Sequence, residues 1–133
     1  MATNTPGTNA RFYETQQVHY LRKRITFANT NTTVDVGQIP AGASVIGGGV
    51  HVVTADAAIT LDVGFRAGNS TDDPNAYATA LTVAAVGYIP LDELGATTNI
   101  QQTEDAIVTA SLLTGSDTFV GDVIVTFVVD NDQ

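Results

Sequence analysis

The chain contains no cysteine and no tryptophan, and only five of its 133 residues are lysine or arginine. Without cysteine there is no disulfide framework, no thiolate metal site and no sulfur nucleophile. The two histidines, His19 and His51, stand in separate β-branched segments with no second ligand nearby. A cross-strand or strand-edge role fits each better than a metal site or a catalytic triad. No G-x-S-x-G nucleophile elbow occurs. Apolar runs long enough to cross a bilayer are also missing, and "MATNTPGTNARFYETQQ" has no apolar signal core. The expectation is a soluble chain made in the cytoplasm, with no membrane partner.

Charge is scarce and unevenly placed. Charged residues make up 14% of the chain and apolar ones 44%, so Thr, Asn, Gln, Ser and Gly must supply most of the surface. In residues 1–24, Arg11, Arg22, Lys23 and Arg24 outnumber Glu14, for a net +3; in residues 25–133 only Arg66 faces thirteen acids, for a net −12. An acidic body repels nucleic acid, so no nucleic-acid partner is expected. The basic segment suits docking on an acidic surface. Arg22, Lys23 and Arg24 equally suit a plainer role, charges that blunt the edge of a first strand.

Val, Ile and Thr recur in short runs broken by Gly, Pro, Asn and Asp. In "AITLDVGFRAG", Ile59, Leu61, Val63 and Phe65 alternate with Thr60, Asp62 and Gly64, the pattern of a half-buried strand. In "DTFVGDVIVTFVV" the odd positions, Phe119, Val123, Val125, Phe127 and Val129, are the better core candidates, and Asp122 and Thr126 share the other face with Val120, Ile124 and Val128. "VHYLRKRITFA", "TTVDVG", "LTVAAVGYIPL" and "TNIQQTEDAIVTASLL" read as further strands, with "LTGSDT" as a hairpin turn. "NSTDDPNAY" is the strongest loop signal, and Asp72 or Asp73 before Pro74 predicts one helical turn through "NAYATAL". No segment keeps a helical period. The chain is therefore expected to be all-β, a single antiparallel sandwich or jelly-roll-like domain over residues 18–133, preceded by a polar, flexible arm over residues 1–17.

Gly47, Gly48 and Gly49 could belong to a phosphate-cradling loop or to a kinked strand. A phosphate loop needs Lys-Ser/Thr after its last glycine, and a dinucleotide fingerprint needs a helix. Val50-His51-Val52-Val53 supplies neither and favours strand. The glycines are read as a bulge or a close backbone approach.

Among the acidic pairs, Asp72-Asp73 and Asp92-Glu93 could serve as glycosidase-type carboxylates or as calcium ligands. The spacing does not follow a calcium-loop pattern, and solvated turn residues are the better reading, with a weak surface calcium site at Asp72/Asp73 left open. No cofactor, obligatory metal or catalytic residue is assigned. Tyr13, Tyr20, Tyr77 and Tyr88 are scattered, which gives no aromatic platform for sugars.

"TTVDVGQIPAGASVIGGGVHVVTAD", "ITLDVGFRAG" and "TDDPNAYATA" together resemble small β-rich virion proteins of tailed bacteriophages. The resemblance spans residues 32–80 and, more loosely, the C-terminal strands. It implies a non-enzymatic virion protein, most like a capsid decoration (cement) protein, made in the host cytoplasm and bound to the capsid surface. It further implies the major capsid protein as partner and self-association as a homotrimer. Arg11, Phe12 and Tyr13, residue types that commonly anchor interfaces, are then candidate assembly residues together with Arg22, Lys23 and Arg24. Two alternatives stay open: a tail- or fibre-associated carbohydrate- or receptor-binding β-domain, which exposed aromatics beside Asp72 and Asp73 would favour, and a small enzyme with carboxylate chemistry, which two carboxylates facing across a cleft would favour.

Overall fold

The computed structural model describes residues 18–67, 72–95, 101–113 and 118–129. Eight strands follow one another: β1 (Val18–Thr26), β2 (Thr33–Ile39), β3 (Ala43–Thr54), β4 (Thr60–Ala67), β5 (Asp73–Thr82), β6 (Gly87–Pro90), β7 (Ala106–Leu113) and β8 (Val120–Val129). They form two four-stranded antiparallel sheets, β1-β8-β3-β6 and β2-β7-β4-β5. This is the all-β sandwich that the alternating pattern predicts.

The core lies between the sheets. From β4 and its approach come Ile59, Leu61, Val63 and Phe65, and from β8 come Val123, Val125 and Phe127, all buried. Each of these side chains contributes roughly 1.5–3 kcal/mol when it is fully removed from water. Tyr77, from the centre of β5, is also fully buried, and its hydroxyl accepts a 2.8 Å hydrogen bond from Gln102 Nε2. Burial pushes the Tyr77 pKa up to about 12.

The segment after Pro74 is strand, not a helical turn. β5 pairs with β4 across two register shifts, with Ala80 in the left-handed region at φ 48° and its N–H bonded 2.7 Å from Asp62 Oδ1. Sheet pairing satisfies the backbone that a capped helical turn would otherwise have used. The helical residues found in the described part are instead a single 3-10 turn, Phe27–Asn29, which turns the chain from the end of β1 towards β2.

The three glycines lie inside β3. Pairing with β8 slips between Val45 and Gly47, and Gly48 has φ 129°. A Cβ on Gly48 would sit 2.2 Å from the Ile124 carbonyl oxygen, and one on Gly49 would sit 2.3 Å from that of Ile89. At Gly48 only glycine fits a backbone that is both left-handed and this close to its neighbours, and at Gly49 the close approach alone excludes a side chain.

At one side of the sandwich β1 lies over β2, where Leu21 fills the space beside Gly37. At the other, the chain leaving β6 is tied to β5, with Glu93 N donating to Tyr77 O at 3.1 Å and Thr79 N donating to Asp92 Oδ1 at 3.2 Å.

Candidate assembly surface

β1 is an edge strand, and its register on β8 places Arg24 opposite Asp122 and Arg22 opposite Ile124. Both guanidiniums converge on one carboxylate. Arg24 Nε lies 2.9 Å from Asp122 Oδ1, Arg24 NH2 3.1 Å from Oδ2, and Arg22 NH2 2.8 Å from Oδ2. The Asp122 side chain is 2% exposed, those of Arg22 and Arg24 57% and 53%. The hydrogen bond from Arg24, reinforced by Arg22, outweighs desolvation and holds the Asp122 pKa at about 2. Two cations share one anion, so the cluster keeps a net positive charge with donors left towards solvent. With Tyr20 these three residues line a shallow hollow of about 420 Å³.

The outward face of this sheet is laid out in four rows: Val18, Val128, Ser44; Tyr20, Thr126, Gly47; Arg22, Ile124, Gly49, Pro90; and Arg24, Asp122, His51, Tyr88. Gly49 leaves room for the Tyr88 ring to lie across the sheet. Of the eight exposed large apolar residues among those described, five lie in strands of this sheet (Val18, Tyr20, Ile46, Val53 and Tyr88), and only Leu113 lies in a strand of the other. The other sheet turns Thr33, Asp35, Gln38, Thr60, Asp62, Thr82 and Ser111 outward, with an Arg66–Asp35 ion pair at 3.1 Å. The sandwich thus has one aromatic, weakly basic face and one Thr- and Asp-rich face.

Of the sequence candidates, Arg22 and Arg24 meet at Asp122, while Lys23 is exposed at the β1 edge, facing away from them. Arg11, Phe12 and Tyr13 lie outside the described residues. Asp122, which sequence alternation leaves on the solvent face, is buried by arginines two strand positions apart. Tyr20 and Tyr88, far apart in the chain, share one face. The signal for both was present only in the cross-strand register. His19 stacks on Phe127 with ring centroids 5.5 Å apart, a cross-strand role. His51 is exposed beside Tyr88.

The acids act mainly on backbone: Asp56 accepts from Ala58 N at 2.9 Å, Asp105 from Ala41 N at 2.9 Å, and Asp92 from Thr79 N. Among the described residues no three His, Cys, Asp or Glu side chains gather as a metal site would require. Tyr77, the aromatic closest in sequence to Asp72 and Asp73, is buried, so it gives no exposed sugar platform beside them.

Comparison with known proteins gives a consistent fold. No family model matches the chain, and no curated protein matches it in sequence. Solved structures do. A chain in the acid-stable capsid of Helicobacter pylori bacteriophage KHP30 superposes with a TM-score of 0.62 at 16% identity, covering 84% of this chain and 87% of that one. A chain in the capsid of Ralstonia phage GP4 gives 0.62 at 20% identity, covering 99% and 93%. One in the capsid asymmetric unit of cyanophage Pam1 gives 0.62 at 20%, covering 98% and 94%. The fold is one found in phage capsids, as the resemblance to β-rich virion proteins implies.

Proposed function

We propose that this chain is a structural, non-enzymatic virion protein that decorates and stabilises the head of a tailed phage. On this reading its partners are the major capsid protein and further copies of itself, as a homotrimer. The carrying observation is the asymmetry of the two faces: exposed Val18, Tyr20, Ile46, Val53 and Tyr88 gather on one sheet, and the other is polar. A decoration protein needs such a division, one face for the shell and one for solvent. The capsid context of the three similar folds supports the same reading.

Magnitude sets what else is required. A face four strands wide and four rows long spans about 15 by 20 Å, or about 300 Å². Patches of that size are often functional, but a stable interface buries about 800 Å² per partner. Further segments must supply the difference. Residues 1–17, with Arg11, Phe12 and Tyr13 as anchors, lead directly into the edge of this sheet and supply apolar and guanidinium groups suited to that role. Many such contacts repeated over a lattice gain strength through multivalency.

The test adds the purified protein to heads that lack it. Binding that saturates at a fixed number of copies per head, with a raised temperature of head opening, is the expected result. Absence of binding would overturn the proposal.

A further inference from the structure

Resting on the self-association in that reading, we infer that copies join head to tail, with the basic β1 edge of one against the acidic β5 edge of the next. The two edges lie at opposite sides of the sandwich. β1 is the outer strand of one sheet and lies over β2; β5 is the outer strand of the other and is tied to the segment after β6. On β1, Arg22, Lys23 and Arg24 are exposed, and among the described residues Lys23 has no ion pair. Around β5 the acids collect. Asp72 and Asp73 stand at its start, Asp92 and Glu93 pack beside Tyr77 and Thr79, and Asp62 reaches Ala80. Apart from Arg66, every lysine and arginine among the described residues is on β1.

A second copy is the occupant that fits because each edge finds its complement on the same chain. Face-to-face pairing of two identical edges would set like charges together. Heterologous pairing sets opposite ones together, and it produces a closed ring where the rotation closes. The contact runs through side chains rather than added strand pairing: the Thr79 and Ala80 N–H groups are already taken by Asp92 and Asp62. Exposed ion pairs are individually weak, roughly 0–1 kcal/mol, so the edges chiefly set orientation and register, and apolar residues must add affinity.

Native mass spectrometry and sedimentation of the full chain test this with Lys23→Glu and with Asp72→Lys/Glu93→Lys, where Lys23 and Asp72 are exposed and Glu93 is half-buried. Wild type should form small closed rings that loosen as salt rises past the range where the Debye length drops below about 10 Å. Each variant should weaken association by about tenfold or more, with an unchanged thermal midpoint. A mixture of the two should associate again, since the intact basic edge of one meets the intact acidic edge of the other and the two charge-reversed edges also complement each other, and combining all three substitutions in one chain should restore rings. A wild type that stays monomeric, association indifferent to both variants, or a mixture and a triple variant that both stay dissociated would overturn the inference. Head binding measured in parallel separates the two claims: a monomer that decorates heads removes the ring and leaves the decoration role, and rings that ignore heads do the reverse.

Discussion

Arg24 and Asp122, 98 residues apart in sequence, face each other across β1 and β8 with Nε 2.9 Å from Oδ1. The bond fastens the edge strand that carries most of the chain's positive charge to the centre of its sheet. Asp122 has its pKa lowered to about 2, so its stabilising effect is full above the unfolded value near 4 and is lost as pH falls through about 2. Because its arginine partners are half exposed, the effect should be discounted to about 1 kcal/mol or less. Asp122→Asn should therefore lower the thermal midpoint at neutral pH and flatten the decline between pH 4 and pH 2. Melting curves against pH check it; a variant with the wild-type acid limb would remove Asp122 as its source.

Tyr77 gives the opposite limb. Its pKa is raised to about 12 by burial, so the unfolded chain ionises first, near 10. Stability should fall as pH rises from about 10 towards 12. Tyr77→Phe removes the 2.8 Å bond with Gln102 and should cost about 1 kcal/mol near neutrality while abolishing this alkaline loss. Denaturant titrations at pH 7 and pH 11 distinguish the two effects.

Gly48→Ala should be among the most damaging single substitutions. It combines φ 129° with a Cβ 2.2 Å from the Ile124 carbonyl oxygen, and a loss above about 2 kcal/mol is expected. Gly42→Ala is the comparison: it shares a positive φ, 86°, but its Cβ would meet nothing within 4 Å, so only the backbone cost of roughly 1 kcal/mol should remain. Equal losses in the two would mean that close approach to β8 is not what requires glycine in β3.

Deleting residues 2–17 should leave a folded β-domain with greatly weakened binding to heads. Circular dichroism and co-sedimentation together check this; undiminished binding would remove Arg11, Phe12 and Tyr13 from the account.

How much the sequence reveals follows from the range of each interaction. The alternation in Ile59–Phe65 and in Phe119–Val129 reports burial directly, because neighbours two apart share a face. Val-His-Val-Val after the glycines carries enough β preference to exclude a phosphate loop. Three things were not legible. The segment after Pro74 has local helix-start chemistry, and pairing with β4 overrides it. Asp122 looks like a solvent-facing residue until the β1 register brings two arginines over it. The shared face of Tyr20 and Tyr88 exists only once β1, β8, β3 and β6 are placed side by side. All three depend on which strands pair and in which register, and no short window of sequence contains that.

The most direct measurement of the decoration claim is electron cryo-microscopy of the assembled head. Density for this sandwich is expected on the outer surface, where capsomers meet, with Tyr20, Ile46, Val53 and Tyr88 turned towards the shell and Thr33, Thr60 and Ser111 towards solvent. Density for the chain only in the tail, or on the head with those two faces reversed, would contradict it.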